Sequence, residues 1–173
     1  SEVAFALLFP METLFESFVA VQLKKALGET KYVLSVQDKI HHLFDEPKKF
    51  LLQPDIVIRH KELQKIFVMD TKWKILSDCN ANYGISQADM YQMYAYQKKY
   101  RSENVTLLYP LTEKVDNSRN IEFRAYDGTL IKVRFVDLFD LKNSLDKIIK
   151  EITADTDEQG KPEQVRSELS RQL

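Results

Sequence analysis

The stretch that most limits what this chain can become runs from Leu51 to Leu76, LLQPDIVIRHKELQKIFVMDTKWKIL. Two strand-length apolar runs, rich in Ile, Val, Leu and Phe, flank a polar patch, Arg59 to Lys65. That is the pattern of a β-hairpin. Each run carries an acid where a strand core should be apolar: Asp55 follows Pro54 at the head of the first, and Asp70 interrupts the second, with Lys72 two places on. Alternation puts Asp70 and Lys72 on one face and Thr71 on the other. An even-numbered loop, such as Lys61 to Gln64, sets Asp55 opposite Asp70, with Cβ atoms about 5 Å apart. Two carboxylates and an ammonium then share one patch. Like charges so placed are unfavourable without compensation, and a hard divalent cation, whose usual ligands are carboxylate oxygens, compensates them. An exposed hairpin can carry the same residues on a solvated face. Their placement inside apolar runs, with the parity that joins them, favours the site.

The rest of the chain supplies a frame for such a hairpin. At 173 residues it can build one domain with a proper core. The net charge of −1 gives no overall basic coat, so any nucleic-acid contact must come from local patches. The single cysteine, Cys79, rules out an internal disulfide and fits a reducing cytoplasm. No apolar run approaches the ~20 residues of a membrane span. The opening SEVAFALLFPMETLFE lacks the basic start of a secretory signal and an initiator Met, which suggests a domain cut from a longer protein.

Pro10 and Gly28 bracket a helix in which Leu14, Phe18, Val21 and Phe15, Val19 recur at helical spacing, predicting a broad apolar face. Glu12 and Glu16 lie near its start, where acids favour the helix dipole; Glu16, flanked by Phe15 and Phe18, could also reach inward. Lys31 to Gln37 alternates as a strand, and Asp38 to Lys49 reads as a polar loop in which the adjacent His41 and His42 lack zinc-pair spacing. After a polar turn region, Ser77 to Gly84, the pair Ser86 and Asp89 signals a helix start. That helix runs to about Tyr100 with Gln92 and Tyr96 on one face and Lys98, Lys99 and Arg101 at its basic end. Val105 to Tyr109 is a buried strand. Ile121 to Tyr126 and Thr129 to Phe135 form a hairpin about Asp127-Gly128. Leu141 to Ile152 is an amphipathic helix, and 153–173 is a polar tail, mobile or a loosely docked short helix.

The order helix, strand, hairpin, helix, strand, with PD on one strand and D-x-K on the next, resembles the PD-(D/E)XK nuclease superfamily. QMYAY on the following helix resembles the Q-x3-Y motif of its RecB-like and McrC-like branches. PMETLFESFV, LLQPDIVI, VMDTKWKIL and DMYQMYAYQKKY together resemble McrC, the nuclease subunit of the modification-dependent McrBC restriction system. The match covers about Leu7 to Pro110.

The resemblance implies an α/β fold, a restriction-endonuclease-like αβββαβ core with an extra C-terminal β-hairpin and helix, in a domain spanning 1–152. It implies a Mg²⁺-dependent DNA endonuclease, Mn²⁺ substituting, acting on duplex DNA in the cytoplasm. Asp55 and Asp70 match the two acids and Lys72 the lysine; Glu16 matches the acid of the first helix; Gln92 and Tyr96 match the supporting pair. Asp55, Asp70, the Thr71 backbone carbonyl and Glu16 are the implied metal ligands, and Lys74, Lys98 and Lys99 are candidates for phosphate contact. The full-length protein would work with a McrB-like AAA+ GTPase, and two nuclease domains could pair. The family's segment that stimulates that GTPase precedes its nuclease domain and has no counterpart in this sequence. The rival readings are a catalytically silent nuclease fold that binds DNA or regulates an NTPase, and a RecB-like exonuclease. More distant is an interaction domain, with Asp55 and Asp70 on opposite faces.

Overall fold

The computed structural model describes residues 10–28, 31–116 and 120–157. Helix α1 (Met11–Leu27) starts at Pro10 and ends at Gly28, whose φ of +55° suits a residue without a Cβ and whose N–H bonds the Lys24 carbonyl. Strand β1 (Tyr32–Val36) follows, then a ribbon of β2 (His42–Asp45) and β3 (Lys48–Leu51). Next come β4 (Ile56–His60), β5 (Ile66–Thr71), helix α2 (Gln87–Tyr100), β6 (Asn104–Pro110), β7 (Ile121–Arg124), β8 (Leu130–Val136) and helix α3 (Leu141–Asp157).

The chain is thus mixed α/β. Six strands form one sheet in the order β1-β4-β5-β6-β8-β7, and β2-β3 stand apart as a pair. The β4–β5 hairpin is antiparallel, while β5 and β6, joined through α2, are parallel, as a helical crossover requires. Alternate residues feed two cores. Val57, Val68, Val105 and Leu107 pack with Met93, Tyr96 and Tyr100 of α2. Ile56, Ile58, Phe67 and Met69 pack with Phe15, Val19 and Leu23 of α1 and Leu145 and Ile148 of α3. With helices on both faces, the central strands read as unbroken apolar runs, and an acid within one is conspicuous.

Three expectations change. The broad apolar face of α1 is split. Phe15, Val19 and Leu23 are buried, but Leu14, Phe18 and Val21 are exposed, because one helix touches a flat sheet through a narrow stripe. Leu14 and Phe18 instead line, with Met11, Phe15, Trp73 and Leu138, an open apolar hollow of about 260 Å³. The polar loop expected over Asp38 to Lys49 is the β2–β3 ribbon, turning at a cis Glu46–Pro47 bond. The last helix runs past Ile152 to Asp157, so the start of the expected tail is helical. Residues 158–173, and residues 1–9 ahead of α1, lie outside the described residues. The C-terminal hairpin forms about Gly128 (φ +84°), with the Ala125 N–H bonded to the Thr129 carbonyl at 2.9 Å. No described helix is long and apolar enough to cross a membrane.

Candidate functional site

The site begins with strand register. Ile56 pairs with Met69 and Val57 with Val68, so continuing the ladder one step sets Asp55 against Asp70. The four-residue loop Lys61 to Gln64, with Gln64 at φ +53° and His60 N–H bonded to the Lys65 carbonyl, fixes that parity. β5 lies between β4 and β6, so the Asp70 side chain emerges from the interior of the sheet, 2 % exposed.

Each polar group of the patch is held by another. The Asp55 carboxylate accepts from the Thr71 N–H and from the Thr71 hydroxyl, both at 2.7 Å. Lys72 Nζ donates to Asp70 Oδ2 and, at 3.3 Å, to Gln92 Oε1. Gln92 Nε2 in turn donates to the Tyr96 hydroxyl at 3.0 Å. Glu16 is brought in from α1 through glutamines: Gln37 donates its side-chain amide to Glu16 and its backbone N–H to the Asp55 carbonyl, and Gln53 donates to Gln37.

Three participants escaped the sequence reading: Asp89, Gln37 and, behind it, Gln53. Asp89 reads as half of a capping box, and its N–H does donate to Ser86 Oγ at 3.1 Å. Its carboxylate, however, lies 3.9 Å from Lys72 Nζ, because the first turn of α2 sits over the end of β5. Gln37 gave no signal at all; its role depends on a φ of +49° at the end of β1.

The electrostatics follow from this crowding. Burial, then the Asp55 charge, pushes the Asp70 carboxyl up from 3.8 to about 6, against the pull of Lys72. Burial and the neighbouring Asp55 and Glu12 also raise Glu16, although its Gln37 hydrogen bond opposes them. Burial disfavours the Lys72 ammonium, but Asp70, Asp89 and Asp55 outweigh it and hold its pKa above the ordinary lysine value. Burial, then the Asp70 and Asp55 charges, likewise raise Tyr96 and keep it protonated. Among the described residues, four carboxylates, Glu16, Asp55, Asp70 and Asp89, therefore act on one ammonium, that of Lys72.

That excess of negative charge fits a cation. Among the described residues no three His, Cys, Asp or Glu side chains converge into a ready cage. A guest ion would keep much of its own water, as Mg²⁺ does when one or two carboxylates hold it. The three lysines expected at phosphate are engaged elsewhere: Lys74 Nζ donates to the Gly84 carbonyl at 2.6 Å, Lys98 pairs with Asp127 and Lys99 with Asp45, each at 2.7 Å. His41 packs its ring on Tyr100, with centroids 4.5 Å apart.

No curated protein matches the chain. A family model does, over residues 1–110, a span that includes Glu16, Asp55, Asp70, Lys72, Asp89 and Gln92. On that match, the chain belongs to the family described as McrBC 5-methylcytosine restriction system component.

Proposed function

We propose that this chain is the DNA-cleaving domain of a McrC-like restriction subunit, a Mg²⁺-dependent endonuclease of the PD-(D/E)XK type. The observation that carries the reading is Asp55 set opposite Asp70 one step beyond the β4–β5 ladder, with Lys72 Nζ donating to Asp70. The succession α1, β1, β4, β5, α2, β6 supports it, since the β2–β3 ribbon is an insertion between β1 and β4. Duplex DNA is the substrate and phosphodiester hydrolysis the reaction, with a McrB-like GTPase as the partner that selects the target.

Asp55 and Asp70 would hold the ion, with the Thr71 carbonyl and Glu16 completing the set. When bound, Mg²⁺ supplies a Lewis acid that lowers the pKa of coordinated water and offsets charge growing on the phosphate. The chain's own groups do the remainder. Thr71 fixes the Asp55 carboxylate with two hydrogen bonds, so that one oxygen keeps a set direction. Lys72, protonated because of its acidic neighbours, stands ready to stabilise a phosphate oxygen or orient the attacking water. Gln92 holds Lys72 through its carbonyl and is itself held by Tyr96, so both are positioning residues. A nicking assay on supercoiled duplex DNA, with Mg²⁺ or Mn²⁺ and with or without the GTPase partner, tests the proposal. Metal-dependent nicking that disappears in Asp70→Ala supports it; full activity in that variant refutes it. Equal attack on circular and linear DNA separates an endonuclease from an end-dependent exonuclease.

A further inference from the structure

The β2–β3 ribbon stands outside the main sheet, yet both of its roots lie at the site. Gln37, five residues before β2, bonds the Asp55 carbonyl and the Glu16 carboxylate; Gln53, two residues after β3, bonds Gln37. Its surface is unusual for a solvated ribbon. Phe44 is 54 % and Phe50 70 % exposed, with ring centroids 5.8 Å apart and planes at 66°. Phe50 also has a φ of +58°, a strained conformation for a bulky residue and one that accumulates at functional sites.

The charges are sorted as well. Asp38 at the base is taken by Arg59, and Asp45 near the tip by Lys99, each at 2.7 Å. Those pairs tie the ribbon to β4 and α2 and offset Asp38 and Asp45; the third acid, Glu46, lies at the turn. Lys48 and Lys49, beside Phe50 in an entirely exposed β3, are presented to solvent. Two-stranded β-ribbons enter either groove of DNA, and apolar side chains beside cations are the means by which minor-groove binders open a base step.

We propose that this ribbon is the element that grips duplex DNA beside the cleavage centre. Lys48 and Lys49 contact backbone phosphates, and the Phe44–Phe50 pair presses against a base step as an apolar wedge. The inference rests on the nuclease reading above and adds the substrate contact that the acidic centre itself lacks. Lys99 then acts by holding the ribbon through Asp45, not by touching phosphate.

The test is binding of a duplex carrying 2-aminopurine, without divalent metal, followed by anisotropy across a salt series and by 2-aminopurine fluorescence. Replacing Lys48 and Lys49 with Ala should weaken binding about tenfold at 0.1 M salt and reduce the slope of log K against log salt by about 2. Replacing Phe44 and Phe50 with Ala should leave that slope alone, abolish the fluorescence rise of unstacking, and raise KM for cleavage. Unchanged circular dichroism and melting temperature show that both variants fold. If the wild type binds and nicks DNA while both variants match it in affinity, slope and fluorescence, the ribbon proposal fails and the nuclease reading survives. Loss of GTPase-partner association with DNA binding intact also overturns it, by assigning the ribbon to a protein interface. A wild type that neither binds nor cuts duplex, with metal and partner present, removes both readings together.

Discussion

Each face of the sheet carries a buried charged cluster, and the two are built on opposite principles. On the α3 side Lys132 and Arg134 meet Glu122 and Glu151. Arg134 Nε reaches both Glu151 oxygens at 2.8 and 3.0 Å, its Nη2 reaches Glu122 at 2.6 Å, and Lys132 lies 3.9 Å from Glu151. Among the described residues, two cations face two anions there, and these charges offset one another. At the end of β5, among the described residues, four carboxylates face one ammonium, that of Lys72, and burial together with the Asp55 charge leaves an Asp70 that clings to its proton. Burying charge is costly in either place. Where the charges cancel, the cluster braces the fold. Where they do not, the fold maintains a deficit that only an added cation, or a proton, relieves.

The sharpest way to break this contrast is to remove one member from each cluster. Asp70→Ala should lower metal-dependent cleavage by about a thousandfold or more, the several kcal/mol that a bound ion supplies, while the variant still melts cooperatively. Arg134→Ala should do the reverse. It leaves two glutamates without their partner and should cost about 2–3 kcal/mol in urea unfolding, reduced from a fully buried pair because the glutamates are partly exposed. The folded fraction should cleave at the wild-type rate. A stable Arg134→Ala protein would show that the balanced cluster braces nothing.

A pH series sharpens the same comparison. Asp70 titrates at about 6 in the folded chain, above the 3.8 of an unperturbed carboxyl. The folded state therefore holds that proton more firmly, and stability falls as pH rises from about 4 to about 6. In EDTA, Asp70→Asn should lack this decline, so the wild type loses about 2–3 kcal/mol relative to it across that window. Identical pH profiles for the two proteins would remove the argument from charge imbalance. Smaller effects should follow along the Lys72 support. Gln92→Ala should slow cleavage about tenfold in kcat with little change in melting temperature. Tyr96→Phe, which deletes only the hydroxyl that Gln92 bonds, should cost about twofold to threefold, near the ~1 kcal/mol or less of one neutral hydrogen bond. Equal losses from the two substitutions would contradict the order of support drawn from the geometry.

Much of the central hairpin was legible because a strand has a period of two: once the loop length is even, Asp55 and Asp70 share a face. The α2 start was legible for a similar reason, since Ser86 and Asp89 sit at the spacing of a helix cap. What stayed hidden depended on distant geometry. The ribbon was unreadable because its strands are only four residues each and mix lysines with aromatics. Gln37 bridges Glu16 and Asp55 through a left-handed backbone angle that no side-chain pattern announces. Asp89 announced itself as a cap and served a second purpose. Apolar residues spaced along α1 did not reveal which of them would meet the sheet.

The position of β5 has one more consequence. It is third of six strands, laddered on both edges, and Lys72 extends that ladder by donating its backbone N–H to the Leu108 carbonyl at 2.9 Å. The amides of Met69, Asp70 and Lys72 should therefore exchange with deuterated solvent only when the sheet itself opens. Beyond its roots, the outlying ribbon can be shortened or exchanged by design while the backbone of Asp70 and Lys72 keeps its place in the sheet.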